Sequence, residues 1–448
     1  MAPRPFYPPG LYDPAPIPSW WEASAGPRVE APPLAGDATV EVAIVGGGFA
    51  GLSTAYHLAR EQGIEATLLE AGHIGWGSSA RNAGFVCMPA AKLGLEELIR
   101  RAGLAEARRY LRTQREAIDL VAALIGEEAI EVQRQGAGMW IAAHSPRAFQ
   151  ALRDYAAILT GQLDTPTRLV DAAGFAAETA AGTENCGALL VVPGFALHTL
   201  RYQQGLARAA QARGARLHGH SKVLAWQKRD GWHHLSTAGG TLRARRLVVA
   251  ANAWLEEGLL PPLDGRILPV VSNILVTRPL SEAERRAANL ADGTPVNSTR
   301  NLLHYYRLLP DGRLLFGARG DTGGSAAGAA RLRAWVERRL GQVFPGLAGV
   351  ETTHFWRGLV CLSRRLLPSL GRLPDDPSLL FAYACHGNGI HHMTWSGRQL
   401  ARMIKGEEAD EALLPAVIRG RSDRFPLPRL RPWYLRGAYA LMALKDAR

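Results

Sequence analysis

The chain has 448 residues, 47% hydrophobic and 21% charged, the balance of a folded protein of roughly two domains rather than of a disordered chain. No apolar run reaches transmembrane length, and the proline-rich start MAPRPFYPPGLYDPAPIPSWW lacks the apolar stretch of a secretory signal, so a cytoplasmic protein is expected. The net charge of +12 raises a nucleic-acid surface, but arginine dominates it and lysine occurs only at Lys92, Lys222, Lys228, Lys405 and Lys445. No aromatic-plus-basic motif accompanies that charge, and nucleic acid is set aside as a partner.

Residues 1–37 are expected to form a Pro-rich strap over a domain surface. At Thr39 the pattern changes: Val40, Val42, Ala43, Ile44 and Val45 form a nearly continuous apolar run, the mark of a buried parallel strand. Gly46-Gly47-Gly48-Phe49-Ala50-Gly51 follows, then a helical stretch with Leu52, Ala55, Leu58 and Ala59 on one face. A second strand, Ala66-Thr67-Leu68-Leu69, closes on Glu70 and Ala71, completing a predicted βαβ unit. Residues 93–180 read as mainly helical. A helix over 202–213, a β-rich stretch over 216–243 and a buried strand over 247–251 form a second α/β block. Between 266 and 320 the chain turns strongly β, with a hairpin of 302–309 and 313–317 around Pro310-Asp311-Gly312. Residues 350–405 return to short strands and end in a helix; the tail carries Trp433, Tyr434 and Tyr439 among basic residues.

The glycine motif between strand and helix predicts a dinucleotide site. Gly46 permits the tight turn, Gly48 lets a pyrophosphate approach the backbone, and Gly51 allows close helix–strand packing. The helix N-terminus offers free N–H groups to phosphate, and Glu70 is placed to accept from ribose hydroxyls. The loop from Gly75 to Gly84, with Gly77, Ser78, Ser79, Arg81, Asn82 and Ala83, replaces the further βα units of a nicotinamide enzyme. It is suited to wrap a pyrophosphate and pass beside a flat ring. Near the end, a strand leads into the Gly-rich loop 385–390, where backbone N–H groups of Gly387, Asn388, Gly389 and Ile390 are expected to face one concave side.

These motifs, with SWWEASAG, GWGSSARNAGF, YYRLLPDGRLLFGARG, WRGLV, LPSLGR, HGNGI and SGRQLA in order over residues 18–440, resemble the D-amino-acid oxidase superfamily of FAD-dependent amine and amino-acid oxidases. Sarcosine oxidase, glycine oxidase and gamma-glutamylputrescine oxidase belong to that family. The resemblance implies FAD as cofactor, with Val223 at the adenine side and Ala251 and Gly358 beside the cofactor. It implies that 387–390 lie at the pyrimidine edge of the flavin, with Asn388 where the family usually has histidine. It further implies hydride transfer from a C–N substrate to flavin N5, then hydrolysis of the imine to a carbonyl. Oxygen is the expected acceptor, giving hydrogen peroxide; a dehydrogenase passing electrons to a quinone or carrier is the alternative, and a non-catalytic flavoprotein binding module a third reading. In that alternative the basic, aromatic C-terminal tail is a membrane-surface contact.

Substrate-side candidates come from the hairpin strand. Alternation puts Tyr305 and Arg307 on one face and His304 and Tyr306 on the other. By resemblance Arg307 pairs with a substrate carboxylate, against the simpler reading of an amphipathic strand with a solvated arginine. Sarcosine oxidase attaches FAD through a cysteine near Cys361, but a buried thiol and non-covalent FAD are expected here. Cys87 is read as packing too. The four cysteines form no CxxC pair, and the adjacent pairs His233-His234 and His391-His392 do not suit a metal, so none is expected.

The expected architecture is α/β with α+β: a Rossmann-like FAD-binding domain from 38–95, 196–260 and 350–410, and a sheet-containing substrate domain from 96–195 and 261–349, in the topology of glutathione reductase. The strap 1–37 and the tail 411–448 flank them. The sequence leaves the oligomeric state open.

Overall fold

A computed structural model describes residues 3–180, 182–406 and 413–446. The predicted βαβ unit is present. The strand Ala38–Val45 is buried from Val42 onward, and the helix Phe49–Gln62 ends at Gly63, whose left-handed conformation returns its N–H to Leu58. The strand Ala66–Leu69 pairs in parallel with the first, Val42 against Ala66 and Val45 against Leu69. These two sit in an eight-stranded sheet with the order Ser369–Leu373, Asp376–Tyr383, Thr241–Val249, Ala38–Val45, Ala66–Leu69, Arg216–His218. The hairpin Ala225–Arg229 and Trp232–Ser236 branches from Thr241–Val249. Helices Phe49–Gln62 and Gly389–Lys405 pack so closely that a Cβ at Gly397 would stand 2.4 Å from the Ala50 carbonyl oxygen.

A second eight-stranded sheet runs Thr352–Ser363, Ile267–Pro279, Arg313–Arg319, His304–Leu308, Val296–Ser298, Met139–Ala142, Ala188–Val191, Thr167–Val170. Two expectations need correction. The segment from 350 does not go straight back to the cofactor sheet: Thr352–Ser363 first pairs along Ile267–Pro279, so the substrate-side sheet takes this strand. Residues 93–180 are helical over Leu95–Ala102, Leu104–Glu127, Pro146–Gln162 and Ala172–Glu178, yet they also supply Met139–Ala142 and Thr167–Val170 to the same sheet. The N-terminal strap lies on the body, burying Tyr7, Leu11, Trp21 and Leu34. The tail carries the helix Arg431–Asp446. No helix among the described residues is long and apolar enough to cross a membrane.

Candidate active site

Two cavities meet between the sheets and share Ser78, Ser79 and Asn252 in their walls. The first lobe opens beside the glycine turn. Gly46 sits at φ +109°, and a Cβ there would stand 2.8 Å from Ala250 carbonyl atoms. A Cβ at Gly51 would stand 1.9 Å from the Gly46 oxygen, so only glycine lets helix and turn approach this closely. Glu70 lines this lobe, and its carboxylate accepts from Gly47 N–H at 2.6 Å and Gly72 N–H at 3.2 Å. Burial raises the Glu70 carboxyl above the usual range, while these N–H donors oppose that shift. Gly46, Gly48, Ala71, Gly77, Val223 and Ala251 share the wall, whereas Ala50 and Gly51 stand behind it and act through packing. The sequence did not single out Tyr12, Trp254 or Gln203, which also line this lobe.

Arg81 stands at the junction. Its guanidinium lies over the adjoining rings of Trp76 and Trp254, 5.0 and 4.8 Å from their centroids, and its Nε donates to the Trp76 carbonyl at 2.7 Å. Desolvation pulls it down to about 9, and its buried Nη2 has no protein partner. A buried, unpartnered cationic donor beside Ser78 and Ser79 suits an anionic group held between the two lobes. Ser79 Oγ already accepts from Phe49 N–H at 3.1 Å at the helix N-terminus. Asn82 ties the loop together, donating to Ser79 O and Thr199 Oγ1 and accepting from Gly84 N–H. Gly84 lies outside the wall at φ +78°, where a Cβ would stand 2.1 Å from the Leu197 oxygen.

The second lobe has Phe49, Asn82, Ala83 and Gly358 on one side and the loop 385–390 on another. Positive φ angles at Ala384, His386 and Gly387 curl this loop. The expected row of inward N–H groups is only partly right: Asn388 N–H closes a turn onto the Cys385 oxygen at 3.1 Å. Its side chain does not cap the following helix but donates to the Pro89 oxygen at 2.7 Å, which leaves the helix start at Gly389 and Ile390 facing the lobe.

The substrate-side candidates separate. Tyr305 lines the second lobe, its hydroxyl 2.9 Å from Ser272 Oγ, and burial raises its phenol. His304 points the other way, buried and stacked among Tyr306 and Phe316; burial pulls its imidazole down to about 3, and it does not reach the lobe. Arg307 shares the face of Tyr305 but lies too deep. Its donors go to the Ala83 oxygen at 3.1 Å, the Leu197 oxygen at 2.7 Å and Gln135 Oε1 at 3.1 Å, and it borders a separate small cavity with Trp21 and His198. It is a structural cation beneath the Ala83–Gly84 turn, not a wall of the lobe. Arg307→Ala is therefore expected to lower unfolding stability by roughly 2–5 kcal/mol through unsatisfied buried carbonyls. Flavin reduction by any active substrate should half-saturate as in the wild type, a split readable by denaturant titration beside anaerobic mixing.

The lobe instead presents two cations that were not singled out, Lys92 and Arg319. Hairpin register exposes the second: Tyr305 pairs with Gly317, where a Cβ would stand 2.1 Å from the Tyr305 ring, and Arg319 is two residues further on the same face. Lys92 lines the lobe with an exposed side chain, and desolvation by the protein around it, with the nearby Arg319 charge, pulls it down to about 7. No acidic side chain lines this lobe. Among the described residues no hydrogen bond or ion pair engages either cation, and no cluster of ligands suits a metal ion.

Of the cysteines, Cys385 rather than Cys361 or Cys87 reaches the cavity wall. Cys361 is fully buried with its thiol raised far above the usual range, and Cys87 donates from behind the wall to Asn388 Oδ1 at 3.9 Å. Burial also raises the Cys385 thiol, disfavouring the nucleophilic thiolate. Acid precipitation is accordingly expected to leave flavin in the supernatant. Colour kept in the pellet and lost in Cys385→Ser would reverse this.

Comparison with known proteins gives the site a lineage. Residues 41–403 match the model of a family described as FAD dependent oxidoreductase. Gamma-glutamylputrescine oxidoreductase of Escherichia coli (strain K12) is 30% identical over 87% of this chain and 89% of its own length. Glycine oxidase of Bacillus licheniformis is 26% identical over 85% of this chain and 97% of its own. The crystal structure of glycine oxidase from Geobacillus kaustophilus superposes with a TM-score of 0.68 at 22% identity, covering 83% of this chain and 95% of that one, and shares the fold. The chain belongs to the family of FAD dependent oxidoreductases typified by D-amino-acid oxidase.

Proposed function

We propose that the enzyme oxidises the C–N bond of an amine that carries a carboxylate, an amino acid or a related N-substituted acid. The observation that carries this reading is the pairing of Lys92 and Arg319 on a lobe wall that has no acidic residue. Two neighbouring cations without a counter-charge in the lobe wall favour an anionic ligand, and a guanidinium fork suits a carboxylate. The names of the relatives, a glycine oxidase and a gamma-glutamylputrescine oxidoreductase, support an amine-bearing substrate.

FAD would lie along both lobes, with Glu70 at the adenosine ribose and Val223 and Ala251 at the adenine end. Arg81, Ser78 and Ser79 would hold the pyrophosphate, and Gly358 and the 387–390 loop the ring. When bound, FAD would supply a two-electron acceptor for the substrate C–H bond, with dioxygen as the proposed final acceptor. The protein's part is placement. Arg319 and Lys92 fix the carboxylate, Tyr305 closes the lobe above it, and Phe85 and Leu303 limit water around the reacting carbon. Four unpaired cysteines fit a reducing, cytoplasmic setting. Anaerobic mixing with a panel of amines and amino acids tests the reading: flavin bleaching only by carboxylate-bearing amines is expected. Equal bleaching by neutral amines would remove the carboxylate from the proposal.

Lys92 adds a pH signature. A lysine pulled down to about 7 is charged below that pH and neutral above it. Binding of a non-reducing carboxylate, followed by flavin absorbance, is expected to weaken as pH rises from 6 to 9. In Lys92→Met the dependence over this window should flatten, because the group that changes charge there is gone.

A further inference from the structure

We propose that the outer face of the helix Arg431–Asp446 docks the enzyme onto an anionic phospholipid bilayer.

The helix is held firmly to the body, so its outer face is a fixed surface. At its start, Arg431 donates to Glu257 Oε1 at 2.6 Å and to the carbonyls of Pro428 and Ile267. Leu435 is buried against Leu268 and Val270. At its end, the Asp446 carboxylate accepts from the N–H groups of Asn301 and Leu302, each at 2.8 Å, and from Asn301 Nδ2 at 2.7 Å. The face opposite these anchors is apolar and open: Trp433, Leu441 and Leu444 are 65%, 55% and 64% exposed. Their spacing places all three on one side of the helix. A folded chain leaves so much connected apolar surface open mainly where a partner covers it.

Charge identifies the partner. Between Arg424 and Lys445 the chain has no acidic residue, while Arg424, Arg429, Arg436 and Lys445 are all basic. An aromatic and leucine face on a helix whose charged residues before Asp446 are all cations matches an interface of acyl chains under negative headgroups. Arg436 reaches over the Trp433 ring, 4.9 Å from its centroid, a posture that lets the ring enter the interface while the guanidinium stays at headgroup level. The helix also touches the active site. Asp446 fastens the loop before Leu303, and Leu303 lines the second lobe, so docking would bring this edge of the cavity to the lipid surface.

The test is co-sedimentation of the full-length, FAD-loaded enzyme with vesicles of phosphatidylcholine alone or mixed with phosphatidylglycerol. Partition onto the anionic vesicles is expected to be at least tenfold stronger and to fall in high salt. The double variants Leu441→Ser with Leu444→Ser, and Arg429→Glu with Arg436→Glu, should each lower it tenfold or more while flavin content and amine oxidation in solution stay unchanged. Equal partition onto both vesicles, or variants that bind like the wild type, would overturn the proposal. So would a dimer in analytical ultracentrifugation that the serine pair splits, because the face would then belong to a second copy.

Discussion

Gly51→Ala is expected to produce a protein with less than a tenth of the wild-type flavin content and a lower denaturation midpoint. The added methyl would stand 1.9 Å from the Gly46 oxygen and 3.2 Å from Ile44 Cγ2. A carbonyl oxygen cannot yield as a flexible side chain does; the turn or the helix must move by about an ångström. Overpacking of this kind costs on the order of 1–3 kcal/mol. The parts that must move are those that shape the cofactor lobe: Gly46, held at φ +109° against Ala250, and the start of the helix at Phe49. Cofactor retention should therefore fall further than stability. Gly126→Ala is the matched control, because a Cβ there meets nothing within 4 Å in the helix Leu104–Glu127, and alanine favours a helix. The ratio of flavin to protein absorbance after purification reads both variants. Normal flavin in Gly51→Ala would show that the turn tolerates displacement.

The cofactor half of the site was legible because its grammar is local. A strand, a glycine turn, a helix and a second strand ending in an acid lie within residues 38–70, and each residue's role follows from its immediate neighbours in the chain. The substrate half was much less so. Its wall joins Lys92 from a loop, Ser272 and Arg319 from paired strands, and Asn297 from another, brought together only by sheet order. Strand alternation put Arg307 on the face of Tyr305, as the structure does, but alternation says nothing about depth. The Ala83–Gly84 turn and Leu197 close over Arg307, while Arg319, two residues past the Gly317 that faces Tyr305, is left open. The strand Thr352–Ser363 was misplaced for a related reason. The strands that follow it, Ser369–Leu373 and Asp376–Tyr383, belong to the cofactor sheet, and its apolar pattern does not name Ile267–Pro279 as its partner.

Arg319→Ala should raise the substrate concentration for half-maximal anaerobic flavin reduction at least tenfold, with FAD content unchanged. Arg319 ends the strand Arg313–Arg319, and its Nη2 lies 3.5 Å from where a Cβ at Gly387 would be, so it spans from the second sheet to the curled loop of the first. Within the described structure its guanidinium is engaged by no carboxylate, hydroxyl or carbonyl, so alanine would leave no protein group unsatisfied and the fold should persist. A substrate carboxylate would lose one of two cations in a partly desolvated lobe, a change worth roughly 2–5 kcal/mol. Arg319→Lys should recover only part of the affinity, since a point charge replaces a planar fork that can donate two parallel hydrogen bonds. The effect should couple to Lys92: the doubly altered enzyme, Arg319→Ala with Lys92→Met, is expected to lose less than the two single losses combined, because both cations meet the same anion. Strict additivity would place them on separate groups of the substrate, and unchanged half-saturation in Arg319→Ala would take this arginine out of the substrate site altogether.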